Sequence, residues 1–191
     1  MGYVTKRHIV KIPKGISVYY CDIKHIIVLT SSFGRKTLVL KTKAIVKKEE
    51  KVIKITRDPF FNMSNNERKK LKAIQGTQVN LLKQKLSDLS LLFCKKLNLV
   101  GVGYRVADLK LSNLNILHFK LGYSHGIYFK IPETLKIFCL KANKLFIIGS
   151  SYLFVTQVAA VLRSFKVPEP YKGKGILYTT EKIIIKEGKK I

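Results

Sequence analysis

The chain has 191 residues, with 37 Lys plus Arg against 11 Asp plus Glu, a formal charge of +26 and 47% hydrophobic residues. At roughly 150 residues per domain this is one ordinary domain or two small ones, with enough apolar material for a core, so wholesale disorder is excluded. A folded chain this basic repels itself unless a polyanion neutralises it, which disfavours a free-standing metabolic enzyme and points to nucleic acid or anionic membrane.

The first fifteen residues, MGYVTKRHIVKIPKG, carry neither the apolar run of a secretory signal nor the Arg- and Ser-rich amphipathic pattern of a transit peptide. Short β-rich runs follow at 26–30, 37–40 and 52–56. Residues 57–74, RDPFFNMSNNERKKLKAI, read as a polar and basic loop apart from two phenylalanines. Val79, Leu82, Leu86 and Leu89 then recur at spacings of three and four, which predicts a helix over 75–92 with Thr77 as its N-cap. Further β-rich runs lie at 97–106, 116–121, 127–131 and 135–140. Residues 145–162 are uncharged and reach the lower length for a spanning helix. Gly149, Ser150 and Ser151 interrupt them with turn and N-cap chemistry, which favours a strand at 145–148 and a helix at 152–165 stopped by Pro168.

Strands, one helix, strands and a second helix form an arrangement used twice. The stretches IVKKEEKVIKI (45–55) and IFCLKANKLFI (137–147) share apolar ends around a polar turn. Each leads into a helix carrying Thr-Gln-Val, at 77–79 and at 156–158. The expected fold is α+β, two similar small domains, each a sheet packed with one helix. The first domain spans 1–94 and includes the insertion loop 57–74; the second spans 95–175; 176–191 form a basic tail. Domains this small are marginal alone, so a partner is expected to supply part of their order.

No residue pattern commits the chain to catalysis. Gly101 and Gly103 lack the third glycine of a dinucleotide loop, and Gly173 and Gly175 lack the Lys-Ser/Thr of a phosphate loop. Ser124 and His125 are adjacent, which almost precludes a catalytic serine–base bond, and the four histidines show no ligand spacing. Cys21, Cys94 and Cys139 form no Cys-x-x-Cys pair and read as free thiols on core or strand positions. No cofactor, metal, small-molecule substrate or membrane insertion is expected, and no enzymatic activity. The cations comprise 31 Lys and 6 Arg, beside 21 Ile and 6 Ala. Lysine suits phosphate more than base reading, and the same bias is what AT-rich coding produces.

The strongest feature is PEPYKGKGI at 168–176. Pro168 and Pro170 hold an extended segment, and Tyr171, Lys172, Gly173, Lys174 and Gly175 form a compact basic-aromatic hook. Both lysines can meet phosphates, Tyr171 can stack on a base or sugar, and the glycines let backbone approach a surface closely. The alternative reading is a solvated tail.

That hook resembles the signature of the large-subunit ribosomal protein L6 family, bacterial and organellar type. KKLNLVGVGYRV (95–106), LGYSH (121–125) and TQVAAVLRSF (156–165) resemble further parts of the family, as do IVKIPKGISV (9–18) and GTQVNLL (76–82) more loosely. Gly126 departs from it, since the family usually has Pro there, and 57–74 is divergent. The resemblance implies two similar α+β domains, no catalysis, and a structural role in the large ribosomal subunit. It implies binding of large-subunit rRNA near the sarcin–ricin loop and stalk base, mainly through the C-terminal half and through Tyr171, Lys172, Gly173, Lys174 and Gly175. Neighbouring ribosomal proteins are the other implied partners. A non-ribosomal RNA-binding module or RNA chaperone is the alternative. The coding bias and the absence of a presequence place the expected ribosome in a mitochondrion, with a plastid or a bacterial cytoplasm as alternatives.

Overall fold

The computed structural model describes residues 8–47, 49–61, 64–111 and 114–188, divided between two units, Met1–Leu91 and Leu92–Ile191. Residues 1–7 of the stretch read for a presequence, 62–63 of the 57–74 segment and 189–191 of the tail lie outside the described residues.

The first unit opens with strand β1 (Ile9–Lys11). An antiparallel meander follows, β2 (Ser17–Cys21), β3 (Ile26–Ser31) and β4 (Gly34–Val39). A hairpin of β5 (Thr42–Lys47) and β6 (Val52–Pro59) then pairs with β1 in the order β1-β6-β5. Ile27 and Leu29 on β3, and Ile53 and Ile55 on β6, are fully buried while the residues between them are not, the period of two that a one-sided strand requires. Helix α1 (Asn65–Ser90) lays Val79, Leu82, Leu86 and Leu89 on this face.

The second unit repeats the order: a single strand β7 (Phe93–Val100), a meander β8 (Arg105–Leu111), β9 (Leu114–Lys120) and β10 (Ile127–Lys130), a hairpin β11 (Leu135–Lys141) and β12 (Lys144–Gly149), and helix α2 (Tyr152–Ser164). As β1 pairs with β6, so β7 pairs with β12; a last strand, β13 (Gly175–Tyr178), adds to the free edge of β7 to give β11-β12-β7-β13. Leu97, Leu117, Phe119, Leu145 and Ile147 form its core beneath Val155, Ala159 and Leu162 of α2.

The fold is therefore α+β and duplicated, as the repeat implied. In the two hairpins Ile45 pairs with Lys54 and Ile137 with Ile147. In the helices the Thr-Gln-Val triplets place Val79 and Val158 in the cores. Both threonines donate back to the fourth preceding carbonyl, Thr77 to Ala73 and Thr156 to Tyr152.

Several boundaries move. Thr77 is not an N-cap: α1 begins at Asn65 behind Ser64, whose backbone N–H and hydroxyl both bond the Glu67 carboxylate in a capping box. Most of the expected loop 57–74 is thus the end of β6 and ten residues of helix. Polar composition hid the helix, because those residues have no apolar face to bury. The run 97–106 is not one strand; Gly101 (φ +150°) and Gly103 (φ +76°) turn the chain between β7 and β8, closed by the Tyr104 N–H on the Gly101 carbonyl. Strands β1, β2 and β5 had no periodic signal long enough to register, and the tail from 176 begins inside β13. The segment 145–162 divides into β12 and α2; among the described residues no helix is long and apolar enough to cross a membrane.

Candidate nucleic-acid interface

Helix α2 ends where Pro168 forbids its continuation, and the chain turns back to build β13. Three backbone bonds define that return. Ile176 N–H donates to the Lys166 carbonyl at 2.9 Å, Glu169 N–H to the Lys174 carbonyl at 2.9 Å, and Gly173 N–H to the Glu169 carbonyl at 2.8 Å. Pairing of β13 with β7, from Gly175 opposite Val100 to Tyr178 opposite Leu97, fixes the far end. The hook is a closed loop on a sheet edge, not a solvated tail.

Its five residues divide by role. Tyr171 is 55% exposed, Lys172 is exposed and Lys174 half-buried, so an aromatic ring and two ammonium groups stand on a braced backbone. Gly173 takes φ +66° at the turn, with open space around its missing side chain. Gly175 is buried, and a Cβ there would meet the Pro168 Cα at 2.6 Å and the Lys166 carbonyl oxygen at 2.9 Å. Close approach at Gly175 is thus to the protein's own backbone, where an outward approach was expected; its absent side chain lets the loop close.

Two tethers hold the surroundings. Arg163, in the last turn of α2, donates from Nε to Glu181 Oε2 at 3.0 Å and from Nη2 to Oε1, a bidentate pair. The Glu181 carboxylate also accepts the Tyr178 N–H at 3.2 Å. Hydrogen bonding with Arg163 holds the Glu181 carboxyl below its ordinary range and pushes the guanidinium up. Further out, Lys186 N–H donates to the Pro170 carbonyl, strapping the tail beside the hook.

Beside the loop lies a second aromatic-basic group. The Tyr123 hydroxyl donates to the Phe165 carbonyl at 3.0 Å, Lys166 Nζ sits 4.3 Å over the Tyr123 ring, and His125 stacks on that ring at 6.0 Å. Nothing in the order of residues brings Tyr123, in the turn at 121–125, to a lysine more than forty positions away. The same contact leaves the His125 ring on Tyr123. Cys21, Cys94 and Cys139 are free thiols on strands β2, β7 and β11. Among the described residues no group of three or more His, Cys, Asp or Glu could hold a metal ion.

Residues 100–179, which span the β7–β8 turn, α2 and the hook, match the family model Ribosomal protein L6. The chain is 37% identical over 181 residues to a protein of Mycoplasma capricolum named large ribosomal subunit protein uL6, covering 95% of this chain and 94% of that one. Proteins of the same name match at 39% over 181 residues in Mesoplasma florum, with the same coverage, and at 36% over 182 residues in Leptothrix cholodnii, covering 95% and 96%. The chain belongs to the ribosomal protein L6 family. That is a family of structural ribosomal proteins and not of enzymes, in keeping with a surface built of braced cations and rings.

Gly126, where the resemblance leads one to expect Pro, has a close neighbour. The imidazole of His118, stacked on Tyr128 at 4.8 Å, occupies the space that a Cβ at position 126 would need. A histidine ring fills the place that a side chain at position 126 would take.

Proposed function

We propose that this L6 protein is a structural constituent of the large ribosomal subunit that binds large-subunit rRNA through the hook Tyr171, Lys172, Gly173, Lys174 and Gly175. The observation that carries the reading is the closed loop. Lys172 and Tyr171 are presented on backbone already fixed by three hydrogen bonds and a sheet edge, so little ordering entropy is lost when phosphate and base are engaged. Tyr171 stacks, Lys172 and Lys174 neutralise phosphates, and Gly173 and Gly175 shape the loop that carries them. Tyr123 and Lys166 extend the same surface. The resemblance supports a site near the sarcin–ricin loop and stalk base, with neighbouring large-subunit proteins as further partners and the C-terminal unit as the main rRNA-binding part.

The finer placement is a mitochondrial ribosome, supported by the Lys/Ile coding bias and the divergent 57–74 segment. A plastid or a bacterial cytoplasm accounts for the same bias, and the relatives named above are bacterial. Sedimentation of the native protein with a ribosomal subunit, followed by sequencing of its rRNA, tests function and compartment together. Co-migration with a mitochondrial large subunit is expected; sedimentation as a free protein would contradict the ribosomal role.

A further inference from the structure

The two helices of this duplicated fold are unequal, and the excess is basic. Thr77 stands twelve residues beyond the first residue of α1, whereas the matching Thr156 stands four beyond the first of α2. Helix α1 therefore extends about two turns further toward its N-terminus. That extension, residues 65–72, contains Arg68, Lys69, Lys70 and Lys72, all exposed, and one acid, Glu67. Glu67 is committed to Ser64 in the capping box. Burial along α1 begins only at Gln75, whose side chain donates to the Ile55 carbonyl at 2.6 Å and accepts from Arg57.

Such an element is hard to account for by folding alone. It buries almost nothing. Arg68 and Lys72, four residues apart on one helical face, repel each other, as do Lys69 and Lys72 at three. At 100° per residue Arg68, Lys69 and Lys72 fall within about a quarter-turn of one another, giving one cationic face. No exposed aromatic or large apolar residue accompanies them on that extension. Protein interfaces are depleted in lysine and anchored by aromatic and apolar residues, whereas a phosphate backbone requires only placed cations.

We infer that the projecting first turns of α1 are a second rRNA contact, in which Arg68, Lys69 and Lys72 engage the phosphate backbone of double-helical RNA without reading its bases. The inference rests on the ribosomal reading above and adds a site that the hook does not supply. RNA phosphates relieve the like-charge repulsion that the free helix carries, so the extension is ordered most firmly when bound.

The test is hydroxyl-radical footprinting of large-subunit rRNA by the full chain at low salt and saturating protein. Unsubstituted protein is compared with the triple variant Arg68→Gln, Lys69→Gln, Lys72→Gln and with the hook variant Lys172→Glu, Lys174→Glu. The triple variant is expected to lose a set of backbone protections that the hook variant retains, and its plot of log K against log salt to flatten by about two to three. A charge-preserving variant, Arg68→Lys, Lys69→Arg, Lys72→Arg, is expected to keep those protections, which shows that charge and not side-chain identity makes the contact; Gln matches Lys and Arg in helix propensity, so the triple variant keeps its helix. Unchanged protections and salt slope in the triple variant overturn this contact and leave the hook standing. Absence of any protection by the unsubstituted chain overturns both. A photo-crosslinker at position 69 that lands on a protein instead of rRNA in assembled subunits also overturns it.

Discussion

Gly175 and Pro168 occupy one space: a Cβ at position 175 would stand 2.6 Å from the Pro168 Cα and 2.7 Å from its nitrogen. These are backbone atoms of a residue fixed on both sides, so they cannot swing aside as the end of a lysine could. The contact explains why the loop that carries Lys172 and Lys174 has a glycine at its base. Closure of the loop and pairing of β13 with β7 both depend on it.

Gly175→Ala is accordingly expected to cost about 3 kcal/mol or more, because overpacking with backbone displacement adds to a φ of +154° that side chains rarely adopt. Gly173→Ala meets open space and is charged only for its left-handed φ of +66°, about 1 kcal/mol. Urea unfolding of the two variants checks the order. Equal costs would show that close packing against Pro168 does not govern the loop.

The Arg163–Glu181 pair sets a pH dependence. Glu181 is held below its ordinary value of 4.5, chiefly by its hydrogen bond with Arg163. A lowered carboxyl contributes stability above the unfolded value and loses it as pH falls through the folded one. The difference in stability between the unsubstituted chain and Glu181→Gln is therefore expected to be constant from pH 7 to about 5 and to shrink below about pH 4.5. With both side chains roughly a quarter exposed, that difference is about 1 kcal/mol or less at neutral pH. Denaturant titrations at pH 7, 5, 4 and 3 measure it; a gap that widens on acidification would contradict the assignment.

At position 126 the obstacle is the end of a mobile side chain, and the expectation differs in kind. Gly126→Pro is expected to fold, with the His118 ring displaced and its stack on Tyr128 lost, at a cost of about 1 kcal/mol. In the double variant Gly126→Pro, His118→Ala the two costs should be less than additive, because the clash is already removed. Thermal unfolding of the four proteins completes the cycle, and strict additivity would rule out the contact.

Much of the fold was legible because hydrophobic periodicity is a local signal. Leu145 and Ile147 alternate as a strand must, and Val155, Val158, Ala159 and Leu162 trace one helical face. The two hairpins and their helices exposed the duplication for the same reason. What stayed hidden had no apolar code. Residues 65–74 are helical without a buried face, so only the Ser64–Glu67 capping box marks them. Of the proposed interface, the hook stands out in the sequence because its five residues are contiguous. Tyr123 and Lys166 do not, since their contact is made by folding, as is the packing of Gly175 on Pro168. Sequence indicated that these glycines matter, and geometry separated Gly173, with open space around its missing side chain, from Gly175, whose missing side chain admits a neighbour.

The central claim is that Lys172 and Lys174 hold the protein on large-subunit rRNA. Its most direct test is the occupancy of the chain on purified large subunits after Lys172→Glu, Lys174→Glu, measured across a salt titration alongside the unsubstituted protein. Occupancy is expected to fall at every salt concentration, with log K declining less steeply against log salt by about 1.5–2, as befits two lost phosphate contacts. Unchanged occupancy with an unchanged salt slope would contradict the claim.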